Sequence, residues 1–334
     1  MASTAVDQMP EAPVVVHRPR ERSSTWPLAD RLCYWLCWAV GIGMCAIAIA
    51  IVVYMFLKGI SYLRPHLLFE HPAPSLHQNQ AGGFLDPIIG TFIVTVIGIA
   101  IAAPVGVALA VWLTEYGRPS GLARAVESAV EMIAGAPSVV LAIFGLLVFS
   151  EGFLGFLSQR AADGSVTGQS FFSAGIIMAL LALPLIVGAT RESLSRIPRR
   201  MREASWALGK TRATTIRRVL LPSVRPGMAS GIVLGMGRII GDTAIITILL
   251  GASLRNEGAD SVPLLGTLRG TGSTLTSYVY KNSPAGEGNA PQKAYAAAFV
   301  LLLIVLVLNA LVTRLTRGRS SGERRRGLRR MVWR

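Results

Sequence analysis

From Leu32 to Leu57 the chain runs for 26 residues without one charged side chain. That length matches the hydrocarbon thickness of a bilayer and exceeds the core of a signal peptide, so the stretch reads as a retained span. Five more apolar stretches follow, at 88–114, about 127–149, 171–190, 227–253 and 294–313. Within lipid the backbone must satisfy its own N–H and C=O groups, so such stretches form helices. The expectation is an all-α membrane protein with six transmembrane helices. Composition agrees, with 52% hydrophobic and 15% charged residues. Pro104 inside the second stretch removes an intrahelical bond and predicts a kink there.

The net charge of +15 would suggest nucleic acid in a soluble protein, but its distribution points elsewhere. With both termini placed inside, the cytoplasmic segments hold 24 Lys and Arg and the external ones 7. Basic residues concentrate on the cytoplasmic side of membrane proteins, so this asymmetry fixes the expected orientation and accounts for the charge. Residues 1–31 form a polar N-terminal tail, and 316–334 an arginine-rich cytoplasmic tail expected to lie against anionic membrane lipid rather than nucleic acid. Cys33, Cys37 and Cys45 all fall in the first stretch, which implies neither a disulfide framework nor a metal site. His66, His71 and His77 are irregularly spaced in a Pro-rich external loop; a solvated loop is the better reading than zinc.

The longest basic segment between apolar stretches is Arg199–Pro222, within a cytoplasmic loop spanning 191–223. Pro198 suits a first helical position and Gly209 a left-handed stop. Between them Met201, Ala204 and Leu208 recur at helical spacing as an apolar stripe. Thr211 is placed to cap a second short helix whose stripe is Ile216, Val219 and Leu220, with Pro222 expected to end it. A short amphipathic helix on a cytoplasmic loop is built to dock, not to cross.

In the fifth stretch Gly227, Gly231 and Gly235 repeat every four residues, a ridge that admits another helix at close range. On a continuous helix Arg238 and Asp242 extend this ridge, all five positions falling within an arc of about 80°. Arg238 then lies roughly 21 Å beyond Val224, near or a little past the bilayer middle. A charge there needs a reason. Either the two groups neutralise each other, or they line the path of an anion, with Thr243 beside them. Arginine offers forked donors to an oxyanion, and a carboxylate accepts from a protonated phosphate oxygen.

The pattern Glu203-Ala204-Ser205, Gly209, Val219, Leu221-Pro222 resembles the loop signature of ABC importer permeases, with Ser205 and Val219 replacing the usual Ala and Ile. Pro104-x-Gly106, Leu113-x-Glu115-Tyr116, Pro137-Ser138-Val139-Val140 and Gly237-Arg238-x-x-Gly241-Asp242-Thr243 are similar to permeases of the phosphate (Pst) system, although Asp242 stands where that family usually has Glu. The stretch from Tyr295 to Asn309 is more like the PstA subunit than its PstC partner. The resemblance implies a type I ABC importer permease fold across 85–315, with Glu203, Ala204, Gly209, Leu221 and Pro222 in the coupling loop. It also implies a bacterial inner-membrane location, a second permease (PstC-like), a pair of ATP-binding subunits (PstB-like) and a phosphate-binding protein (PstS-like). The chain carries no P-loop sequence, so ATP is handled elsewhere; no cofactor and no catalytic residue are expected. Alternative readings are a permease for sulfate or molybdate, a proton-coupled carrier, and a sensor of phosphate starvation.

Overall fold

A computed structural model describes residues 27–60, 63, 65–72, 82–117, 120–150, 154–158, 166–251, 267–284, 286 and 290–317. The chain divides into two compact units, Met1–Val53 and Tyr54–Arg334. The first, where described, is most of one helix, α1 (Leu28–Gly59). Its apolar side chains up to Val53 are almost all exposed, and so are Cys33, Cys37 and Cys45. An apolar helix bare on every side is compatible with lipid and not with water.

The second unit is mostly helical, with isolated bridge residues at Val166 and Thr271. Its elements are α2 (Leu85–Val111), α3 (Gly121–Gly135), α4 (Ser138–Ser150), α5 (Phe171–Ser195), α6 (Arg199–Ala207), α7 (Arg212–Thr215), α8 (Leu221–Gly241), α9 (Ala244–Leu249), α10 (Leu275–Asn282) and α11 (Pro291–Arg317). Two π-helical turns interrupt the ladder, Trp112–Tyr116 after α2 and Ile216–Leu220 between α7 and α8. Among the described residues five helices are long and apolar enough to cross a membrane, or six if the bent pair α3–α4 makes one span.

That pair corrects the reading of an unbroken third span. α3 begins at its Ser120 cap, whose hydroxyl accepts from Ala123 N, and the chain bends by 107° before α4. The cause is local. Pro137 pushes the residue before it out of the helical region, and Ala136 sits at ψ 134°. The fourth span is longer than its apolar core, running to Ser195, and it opens with a reciprocal Ser170–Ser173 cap.

The core sits where α2, α5 and α8 cross. A methyl group at Gly175 would stand 2.5 Å from Ile97 Cγ2, and one at Gly98 would stand 2.8 Å from Ile239 Cδ1. The glycine ridge of α8 lies against α5. Methyl groups would meet Ser193 at Gly227, Ala189 Cβ at 3.0 Å from Gly231, and Ile186 Cγ1 at 3.2 Å from Gly235. Phe149, Phe171, Met178, Ile186, Ile239 and Leu249 fill the remaining space, all essentially inaccessible. In lipid, where apolar burial adds little, this close fit supplies the attraction between helices.

Two readings of the fifth span change. Pro222 does not end a helix. α7, the π turn and α8 run on as one 30-residue helix from Arg212 to Gly241, with Pro222 just after the π turn, which shifts the hydrogen-bond register there. At the other end the helix stops at Gly241 instead of continuing to 253, and α9 starts afresh.

The packing gives a paired expectation. Gly231→Val places atoms against the backbone of Ile186 and should lower stability in detergent by about 1–3 kcal/mol, the usual cost of overpacking. Gly237 has nothing within 4 Å of an added methyl, so Gly237→Ala should be neutral or slightly stabilising. Thermal unfolding of the two purified variants measures the contrast.

Candidate functional site: a cytoplasmic docking helix and a broken fifth span

The loop 191–223 folds into two short helices, as Gly209 and Thr211 indicate. Pro198 caps α6 rather than opening it, one position earlier than expected. Gly209 takes φ +71°, the left-handed conformation that a side chain resists. Thr211 Oγ1 accepts from Thr214 N at 3.3 Å and starts α7. Leu221 and Pro222 belong to α8 and are half-buried, while Glu203 and Ala204 are exposed on α6.

α6 is fastened through its polar residues, not its apolar ones. Ser205, 7% exposed, hydrogen-bonds Thr215 Oγ1 at 2.8 Å, so the replacement of the second Ala by Ser supplies a bond between the two short helices. Arg202 pairs with Glu115, 87 residues earlier, Nη2 to Oε1 at 2.8 Å and Nε at 3.1 Å. The same guanidinium donates to the carbonyls of Ile197 at 3.0 Å and Leu194 at 3.2 Å, capping the end of α5. Beneath, Leu194, Ile216, Leu220 and Val224 form a small apolar cluster. The result turns the apolar stripe outward. Met201 is 41% exposed, Trp206 45% and Leu208 77%. The anchored helix thus presents bare apolar side chains beside basic ones, a patch that a partner surface could cover.

The second candidate lies at the far end of α8. The ridge glycines face α5, and Arg238, although within the same arc of the helix, is exposed. Pro226, Ser230 and Leu234, at four-residue spacing before it, are exposed as well among the described residues. Asp242 is not on the ridge. It stands beyond the helix end at ψ 126°, buried, and its Oδ1 accepts from Ile245 N at 2.9 Å. The carboxylate therefore caps α9, and no Arg238–Asp242 ion pair occurs among the described residues. Thr276 Oγ1 donates to Ile240 O at 2.6 Å, satisfying one carbonyl freed by the break. Thr243 accepts through its carbonyl from Thr247 Oγ1 at 2.8 Å.

The sequence reasoning missed the partners of these helices. Glu115 was part of a recognised pattern, but nothing local pointed to Arg202. Outside the membrane core, His71 Nδ1 lies 2.9 Å from Asp86 Oδ2, while the side chains of His66 and His77 fall outside the described residues. No group of three metal-ligating side chains occurs among the described residues.

A buried three-helix core, a broken fifth helix and an anchored amphipathic helix belong to a multi-span membrane protein. Residues 102–321 match the family of binding-protein-dependent transport system inner membrane components, and the chain belongs to that family. It is similar to the phosphate transport system permease protein PstA 1 of Mycobacterium tuberculosis (strain CDC 1551 / Oshkosh), 33% identical over 236 residues, 70% of each chain. To the corresponding PstC of Haemophilus influenzae it is 29% identical, covering 71% of this chain and 76% of that one. Among solved structures, a bacterial alginate ABC transporter with its pentasaccharide-bound periplasmic protein superposes at TM-score 0.60 and 17% identity, covering 87% of this chain and 96% of that one. The fold is therefore that of the type I ABC importer permeases, and the protein is a multi-pass inner-membrane component.

Removing the Ser205 hydroxyl tests the local account. Ser205→Ala should cost about 1 kcal/mol, the net worth of one hydrogen bond, because Thr215 Oγ1 keeps its 3.0 Å bond to Thr211 O. Hydrogen exchange should quicken in α6 and α7 and stay unchanged in α5.

Proposed function

We propose that this chain is the PstA-like permease subunit of an ATP-driven phosphate importer. In this reading it forms the translocation path with a PstC-like second permease. A PstB-like ATP-binding pair drives it, and a PstS-like binding protein loads it. The observation that carries the reading is the outward apolar face of α6, held in place by buried polar bonds beside Gly209. The phosphate permeases at about 30% identity support the substrate, and the higher identity to PstA 1 than to PstC supports the subunit. Both termini lie in the cytoplasm in this reading, and the chain itself hydrolyses nothing.

Arg238 is the residue proposed to meet the ion. Its guanidinium is exposed on α8 and has no ion partner among the described residues, which favours the path over mutual neutralisation with Asp242. Asp242 and Thr243 are then path residues through the helix break they form, the carboxylate being committed to Ile245 N. Sulfate or molybdate would use the same arginine, and substrate competition separates them.

Leu208→Asp puts a charge on the docking face without touching an anchor, and should abolish co-purification of the ATP-binding subunit while the permease still inserts. Retention of that subunit would overturn the docking assignment. Gly209→Val should uncouple ATP hydrolysis from uptake more severely than Gly209→Ala, because β-branching resists a positive φ. Arg238→Gln should stop phosphate uptake in an assembled complex; normal uptake would return the residue to a structural role. For orientation, a cysteine at Tyr280, which is 52% exposed, should react with an impermeant thiol reagent from outside, and one at Leu208 should not. Ser277, at the start of the same helix, is too buried to serve.

A further inference from the structure

The anchors of α6 share a feature that neither docking nor ion passage requires. Two side-chain partners of α6, Glu115 and Thr215, land on or beside a π-helical turn of a membrane span. Glu115 sits within Trp112–Tyr116, at the cytoplasmic end of the second span in the proposed orientation. Thr215, which bonds Ser205, immediately precedes Ile216–Leu220 on the fifth. A π turn holds one residue more than an α turn, and its wider ring leaves carbonyls to be satisfied by other groups. In the second span Thr114 Oγ1 reaches Ala110 O at 2.9 Å and Val111 O at 3.2 Å, and Gly117 N closes the turn onto Trp112 O at 2.7 Å. Such a turn changes register at small cost compared with bending an α-helix.

The bond to that turn is strong for its position. Glu115 and Arg202 are 12% and 17% exposed, so their charges are mostly withdrawn from water. One Glu115 oxygen accepts two guanidinium hydrogens, while the remaining donors of Arg202 hold the carbonyls at the end of α5. The guanidinium thus ties three elements: the second span, the fourth span and the docking helix. A planar fork can do this; a lysine offers no such geometry.

We propose that the Arg202–Glu115 bond is the positioning joint through which displacement of α6 moves the cytoplasmic end of the second span. The proposal rests on the reading that α6 docks an ATP-binding partner. Arg202 keeps α6 seated on α5, and Glu115 converts motion of α6 into a shift of the π turn. The two functions separate by mutation. Glu115→Gln removes the charge from the joint but leaves Arg202 on the carbonyls of Leu194 and Ile197, so α6 stays seated.

The test uses the assembled importer in proteoliposomes, with Cys33, Cys37 and Cys45 changed to Ser. Tyr116, half-exposed in the turn itself, becomes the reporter as Tyr116→Cys. In this parent the rate of thiol labelling should change about fivefold on ATP addition, the lower end of ordinary coupling between sites. Adding Glu115→Gln should remove most of that change, while the ATP-binding subunit co-purifies as before. A simple packing role would alter assembly or thermal stability but leave the ATP response intact. Labelling indifferent to ATP in the parent, or a full response in the Glu115→Gln variant, overturns the joint. Should Glu115→Gln fail to assemble, Glu115→Asp decides. It keeps the charge with a shorter reach, so a reduced response supports the joint and a full response overturns it. Failure of any ATP-binding subunit to co-purify with the unaltered chain is a separate outcome. It overturns the docking reading, and the joint with it.

Discussion

The approach of α8 to α5 is the constraint on which the rest of the second unit depends. Gly227, Gly231 and Gly235 let the helices close until an added methyl would meet Ser193, Ala189 and Ile186. With lipid outside, hydrophobic exclusion does little to hold them, and dispersion across the seam takes its place. That seam orients every other face of α8. With the glycines committed to α5 and Ile239 to α2, Ser230, Leu234 and Arg238 stay exposed among the described residues. The same seam brings the end of α5 beside the start of α8, where Leu194, Ile216, Leu220 and Val224 make the cluster under α6.

Much of this was legible in the sequence, and the parts that were not share a cause. Apolar length revealed the spans, since the membrane leaves a chain few ways to satisfy its backbone. Gly209 and Thr211 revealed the turn between α6 and α7, because each residue type has one favoured place there. The breaks at Ala136–Pro137 and Gly241–Asp242 were hidden, although Gly135, Pro137, Gly241 and Asp242 are all ordinary punctuation. Both lie inside continuous hydropathy, and a helix that stops and restarts is as apolar as one that runs through. Pro222 was misread in the opposite sense. Proline ends a helix from within unless the hydrogen-bond register shifts beside it, and only the π turn before it shows which applies. Arg202–Glu115 was invisible for another reason: a pair 87 residues apart leaves no periodic trace.

The docking helix shows how a marginal element is held. Nine residues are too few for a helix to persist alone in water. Here the tertiary bonds of Arg202 and Ser205 replace intrinsic stability, and the apolar stripe is left free for another surface. An arrangement with the stripe buried would be the more stable monomer. The observed one leaves apolar side chains exposed and gains a surface that only a partner completes.

The break at Asp242 bears directly on the charge of Arg238. On an unbroken helix the carboxylate would stand one turn above the guanidinium, and the two would form a pair. Pairing would lower the cost of a charge at that depth, and it would also cancel the field an anion feels. In the structure the backbone turns extended at residue 242, the carboxylate binds Ile245 N, and Thr276 takes the freed carbonyl of Ile240. Both members of the would-be pair are thereby treated differently: Asp242 is met by a backbone donor, and Arg238 by no ion partner among the described residues. A guanidinium at that depth without a described counter-charge can be met by a second subunit or a passing anion. On the proposed function it is the anion, and the helix break is what keeps the arginine free to meet it.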